Sequence, residues 1–182
     1  MKLKTTGLMA ILLATGISYN ANANMLFDTY AGATAGFGGI TYKMDDHDKS
    51  MSAYSYGAFI GIDIPLVRIE GEYSHISADT VDLDLAMVNA YVKMPIPVVK
   101  PYIGAGIGMT FDGEYSDDIV KFQTQDSIAY QGMLGLTLDI PVLPFNVDVE
   151  GRVLYVPDAF DVPTSELDVL HYEGRVKLRY VF

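Results

Sequence analysis

The chain contains no cysteine. Disulfides, thiol nucleophiles and cysteine-ligated metal sites are therefore excluded, while the compartment stays open. Positive charge is scarce as well. Twelve Lys and Arg stand against 23 Asp and Glu, a formal net charge of −11 over 182 residues. That balance argues against a nucleic-acid partner. Long apolar runs are also missing. The run from Gly7 to Ile17 falls short of the ~20 residues a membrane-spanning helix needs, and no other segment approaches that length. Phosphate loops, dinucleotide fingerprints and zincin motifs are absent too.

What is present is 50% hydrophobic and 12% aromatic, with 17 Gly and 13 Tyr. Residues 1–23 read as a cleavable secretory signal. Lys2 and Lys4 give a positive start, the apolar run follows, and Ala21-Asn22-Ala23 supplies a small-x-small cleavage pattern. Loss of the two lysines would take the formal charge from −11 to −13. Residues 24–182 then form one domain. Export, strand-rich aromatic sequence and no helical anchor point to a bacterial outer membrane.

The stretch His171 to Phe182 defines the pattern. Tyr172, Gly174, Val176, Leu178, Tyr180 and Phe182 share one face of a strand, because side chains alternate. His171, Glu173, Arg175, Lys177, Arg179 and Val181 share the other. An apolar aromatic face opposite a charged one suits lipid outside and a polar interior, as in a transmembrane β-barrel. Similar splits recur upstream. Strand three sets Val67, Ile69, Gly71 and Tyr73 against Arg68, Glu70, Glu72 and Ser74. Strand seven sets Phe145, Val147, Val149, Gly151, Val153 and Tyr155 against Asn146, Asp148, Glu150 and Arg152. Strand four separates Leu83, Leu85, Met87 and Tyr91 from Asp82, Asp84, Ala86, Val88 and Ala90, with Asn89 interrupting the apolar face. Strand two (Ser52 to Ile64) and strand six (Asp126 to Ile140) also alternate. Glycine blurs strand one (Leu26 to Tyr42) and strand five (from Lys100), so their inner faces stay unassigned.

The count is eight antiparallel up-and-down strands, each long enough for a tilted crossing. Turns after strands two, four and six are short and proline-bearing. Those after strands one, five and seven are longer and acidic: Lys43 to Ser50, Asp112 to Gln125 and Val156 to Asp168. Short periplasmic turns and long external loops have this asymmetry.

An eight-stranded barrel is only wide enough for side chains to fill, and buried charges there must pair or hold water. The expected inner acids are Asp63, Glu70, Glu72, Asp82, Asp84, Asp139, Asp148, Glu150 and Glu173. The expected inner bases are Arg68, Arg152, Arg175, Lys177 and Arg179. Strands three and seven lie opposite in a ring of eight, so Arg68 should reach Asp148 or Glu150. Arg175 and Lys177 should meet the acids of neighbouring strand seven. The reading is an ion-paired interior with no wide pore; a narrow ion path lined by the same charges is the alternative.

With its signal peptide, eight amphipathic segments, Lys100-Pro101-Tyr102-Ile103-Gly104-Ala105-Gly106-Ile107-Gly108 and terminal Tyr180-Val181-Phe182, the chain resembles the small outer-membrane β-barrels of the OmpA-like, OmpX-like and opacity-protein type. The resemblance covers residues 24–182. It implies that Tyr180 and Phe182 belong to the signal read by the barrel-assembly machinery, with Lys177 standing where glycine is common. It also implies outer-membrane lipid and lipopolysaccharide as surroundings, and a structural or surface-interactive role with an unidentified surface ligand. A monomer without cofactor is expected.

His75 and Ser77 raise one catalytic alternative. Lipid A deacylase barrels carry a His-x-Ser motif in which serine attacks and histidine takes its proton. Here Ala78 and Asp79 follow where that group has asparagine, and Asp79, Asp82 or Asp84 would have to orient the histidine. The bland reading is an interfacial histidine beside a loop serine. Asp45-Asp46-His47-Asp48 offers oxygen and imidazole donors but lacks the glycine and glutamate of a calcium loop, so a solvated acidic loop is expected. The same holds for Asp112, Glu114, Asp117 and Asp118. His171 reads as a hydrogen-bonding residue of the lumen or rim. Tyr54, Tyr56, Tyr73, Tyr102, Tyr130, Tyr155, Tyr172 and Tyr180 read as girdle aromatics.

Overall fold

The computed structural model describes residues 27–44, 47–78, 81–117, 120–123, 127–139, 143–162 and 165–182. Side chains are described over 27–41, 51–78, 82–111, 127–139, 143–157 and 169–182. The proposed signal segment, Asp45, Asp46, Asp79 and Asp118 lie outside the described residues.

The elements are β1 (Asp28–Met44), β2 (His47–Asp63), β3 (Val67–Ala78), β4 (Val81–Lys93), β5 (Val99–Asp117), β6 (Val120–Gln123), β7 (Ile128–Asp139), β8 (Phe145–Val162) and β9 (Ser165–Val181). All pairings are antiparallel; they join chain neighbours except that β5 pairs with β7 past β6 and β1 pairs with β9, the latter from Tyr30↔Val181 to Tyr42↔Val169. The β4–β5 pairing joins the two ends of the remaining strand order and closes the ring. Short β6 pairs only with Glu114–Asp117 of β5, leaving eight strands in the barrel wall. Closure leaves no open edge among the eight described wall strands, which lipid requires.

The long polar segments after strands one, five and seven are not open loops. β1 and β2 pair out to Met44↔His47. β5 continues to Asp117 and pairs with β6. β8 and β9 pair out to Val162↔Ser165 beyond an irregularity at Val156/Phe160. Ladder pairing satisfies backbone groups in these polar stretches as well as in apolar ones, so hydropathy did not reveal them as strand. His47, Asp48, Asp112, Glu114 and Asp117 therefore belong to strand rather than loop.

The outer wall is apolar and the aromatic residues sit toward its two rims. Tyr54, Tyr56, Tyr73, Tyr130, Tyr155, Tyr172 and Tyr180 are exposed on it. At the short-turn end the Tyr180 ring packs at 5.2 Å from both Phe145 and Phe182. Tyr102 is the exception to the girdle reading: it is buried inside the barrel.

Strand four is turned the other way from the inner-acid expectation. Leu83, Leu85, Met87, Asn89 and Tyr91 point inward and are at most 2% exposed, whereas Asp82 and Asp84 lie on the outer face. Both acids pair with the hairpin-end residues of β3, as Ser77↔Asp82 and His75↔Asp84. They sit at the rim, so no hydrocarbon forces them inside. Asn89, which interrupts the apolar face, is a lumen residue.

Glycine decides the orientation of strand five. Gly104 and Gly106 face inward opposite Tyr91 and Asn89. A Cβ on Gly104 would stand 2.3 Å from the Tyr91 ring, and one on Gly106 would stand 2.1 Å from Asn89 Oδ1. The bare face of β5 thus makes room for the bulky inner face of β4, leaving Ile103, Ile107 and Met109 on the outer wall.

Candidate functional site in the barrel lumen

The lumen has two sections. Toward the short-turn end lies an ionic one, built from β3, β8 and β9, where alternation places a charge at nearly every inward position. Five acids (Glu70, Glu72, Asp148, Glu150, Glu173) and five bases (Arg68, Arg152, Arg175, Lys177, Arg179) are each no more than 5% exposed. Such burial is tolerable only with close pairing.

The pairing crosses the barrel. Arg68 Nη1 reaches Asp148 Oδ2 at 3.1 Å, and Arg179 grips the same carboxylate through Nε at 2.9 Å and Nη2 at 3.1 Å. Arg175 donates to Glu150 on neighbouring β8 at 2.5 Å and across the lumen to Glu72 at 2.5 Å. Arg152 pairs with Glu173 at 2.6 Å and lies 3.4 Å from Glu72. Lys177 departs from the neighbour-strand expectation. It crosses to Glu70 on β3, because Asp148, its register partner, is occupied by two guanidiniums.

Uncharged residues that alternation alone did not single out complete the shell. Tyr30 and Tyr91 donate to Glu70 at 3.0 and 3.1 Å, and Tyr102 donates to Glu150 at 2.8 Å. Asn89 donates to Glu72 at 3.0 Å and accepts from Gln131 at 2.6 Å. The Arg68 guanidinium lies 4.2 Å from the Tyr91 ring centre and 4.6 Å from that of Tyr102, a cation–π arrangement. The signal for this shell was the misplaced polarity of Asn89 within an apolar face. At the mouth, Lys93 pairs with Asp63 and Lys100 with Asp139.

Toward the hairpin end the lining becomes apolar. Ile40, Ala53, Ile76, Ala78, Leu83, Leu85, Met87, Ala129, Leu154, Val156 and Val169 form one buried cluster. His171 lies at the border, fully buried between Ile40 and Leu154 in register. Neither ring nitrogen has a hydrogen-bond partner. Glu173 Oε2 is 3.7 Å from Nε2, beyond hydrogen-bond distance, so the hydrogen-bonding role read for His171 is not what the structure gives.

His75 and Ser77 lie on the outer face. His75 Nδ1 faces Asp84 Oδ1 at 2.8 Å, Tyr73 donates to the same oxygen at 2.9 Å, and Ser77 Oγ donates to Asp82 Oδ1 at 2.6 Å. The serine proton is directed to a carboxylate, not to the imidazole, so these residues are not set as nucleophile and base and the hydrolase alternative falls. Among the described residues no group of three or more His, Cys, Asp or Glu is placed to hold a metal ion.

The chain belongs to the outer membrane protein beta-barrel domain family, which it matches over residues 9–169. It is a bacterial outer-membrane protein. Its fold is similar to that of Neisserial surface protein A, at 18% identity over 82% of this chain and 96% of that one, with a TM-score of 0.63. It is also similar to the N-terminal β-barrel domain of Pseudomonas aeruginosa OprF, at 13% identity over 82% and 97% of the two chains, with a TM-score of 0.56. No curated protein matches it. In this family the short-turn end is periplasmic and the hairpin end external.

Proposed function

We propose that this protein is a closed, non-catalytic barrel that anchors its acidic external hairpins at the cell surface for contact with the surroundings. The observation that carries this reading is the lumen itself, a charge-balanced set of five buried acids and five buried bases beneath an apolar layer. Each of these ten described charges has an opposite partner within 4 Å, so none of them is left free to bind and pass a solute. Its immediate partners are outer-membrane lipid and lipopolysaccharide around the wall, with an unidentified ligand at the hairpins. The full barrel in planar bilayers at neutral pH should show no large single-channel conductance. Porin-sized steps would overturn the proposal.

Assembly depends on β9, in which Tyr180 and Phe182 act as the signal read by the barrel-assembly machinery. Two features of the fold support this. Val181 N donates to Pro144 O at 2.9 Å and Phe182 N to Thr29 O at 3.0 Å, tying the segment to both neighbouring strands. Deletion of Tyr180 to Phe182 should abolish the heat-modifiable folded band in outer membranes. A normal band after that deletion would refute the role.

A further inference from the structure

The ionic section forms a continuous polar ladder from the periplasmic mouth upward. It begins at Asp63, which is 19% exposed and lies 3.4 Å from Arg179, and climbs through Asp148, Glu70 and Glu72 to the Arg152–Glu173 pair. It stops at His171. Beyond lie Ile40, Ile76, Leu83, Leu85, Leu154 and Val169, all at most 2% exposed. Among the described residues the outer part of the lumen is closed by a mainly apolar constriction, with Thr110 and Ser127 buried beside it and bonded to each other. Such constrictions close a path by excluding water, and they open when wetted.

His171 is the titratable group directly beneath that constriction. The charged groups around it are Glu173 and Arg175 on its own strand, Arg152 on β8, and Glu72, which reaches across from β3. The described inward residues of β1, β2, β4, β5 and β7 carry no charge above the mouth residues Asp63, Lys93, Lys100 and Asp139. With a neutral imidazole the buried section is balanced. A proton taken from water onto a free ring nitrogen adds a sixth buried cation. The nearest carboxylate, Glu173, already holds Arg152 at 2.6 Å and accepts from Ser55 at 2.6 Å. The added charge finds only this shared carboxylate, 3.7 Å from Nε2, and water is the further solvating group that can reach it.

We propose that the apolar layer is a hydrophobic gate and that His171 is its proton-sensitive element: protonation draws water under the layer and opens a narrow path for protons and small ions at acid pH. The inference rests on the closed-lumen reading above and adds the condition under which closure fails.

The test uses the full barrel in planar bilayers at about pH 7.5 and, stepwise, down to about pH 2.5, well below the ordinary titration of histidine, because a buried cation with no counter-charge of its own forms only at high proton activity. Wild type should be silent at the higher pH, with time-averaged current rising about tenfold or more at the lower, as expected for a wetted constriction. His171→Gln, which keeps polarity and loses the titration, should stay silent at both, with His171→Phe as a second variant if glutamine impairs folding. Leu154→Ser should conduct at neutral pH by wetting the layer directly. Heat-modifiability on gels verifies that each protein is folded at each pH. Silence of folded wild type at acid pH, equal acid currents from wild type and both His171 variants, or a silent Leu154→Ser barrel would each overturn the gate. Large wild-type currents at neutral pH would instead overturn the closed-lumen reading itself.

Discussion

The periplasmic and external sections of the lumen are lined by the same strands, yet they hold together by different physics. Below His171, charges from β3 meet charges from β8 and β9 across the barrel, as in Arg68–Asp148 and Arg175–Glu72. Each carboxylate there serves several donors, and Glu72 alone contacts Arg175, Arg152 and Asn89. Above His171, Leu85, Leu154 and their neighbours touch without direction or charge. The ionic section is specific and intolerant, since removing one member strands the others in a medium that cannot solvate them. The apolar section is less particular about which side chain fills it, but its dryness decides whether the lumen is closed.

The comparison can be broken most severely from the ionic side. Arg175→Met leaves Glu72 and Glu150 without their principal cation. It should cost about 3–5 kcal/mol, measured as a shift of the urea unfolding midpoint in liposomes. A cost no larger than that of an apolar truncation would show that the ion pairs do not couple the walls. Leu154→Ala, in the external layer, should cost about 2–4 kcal/mol by loss of burial and the cavity left behind. The same unfolding titration checks it, and a near-neutral result would show that the layer collapses freely around the gap. Lys100→Ala sharpens the contrast at the rim. Its pair with Asp139 is about a third exposed on both sides, so solvent screening should hold the loss to about 0–1 kcal/mol. A loss as large as that of Arg175→Met would mean the mouth pairs belong energetically to the buried network.

Much of this arrangement could be read along the chain. On β3, β8 and β9 the inward faces carry full charges at mid-wall, and the cost of placing them in lipid leaves one orientation. The alternation therefore assigned Arg68, Glu70, Glu72, Asp148, Glu150, Arg152, Glu173, Arg175, Lys177 and Arg179 to the interior without reference to any neighbour. β4 was not legible in the same way. One of its faces carries Leu83, Leu85, Met87 and Tyr91, and the other carries Asp82 and Asp84. Apolar residues suit both lipid and a dry lumen, while acids at a rim suit either side. The hairpin extensions were hidden for a related reason, since their polar composition resembles that of a loop.

By itself, then, the sequence determined that the chain builds an eight-stranded amphipathic barrel and which charged faces must avoid lipid, because both follow from a local period of two and from the desolvation cost of charge. Only the tertiary structure decided that β4 turns its apolar face inward against the glycines of β5, that Lys177 crosses to Glu70, and that the external lumen is apolar with His171 beneath it. Those outcomes depend on the volume left by opposite strands and on which carboxylate is already taken, and neither quantity is present in any one strand.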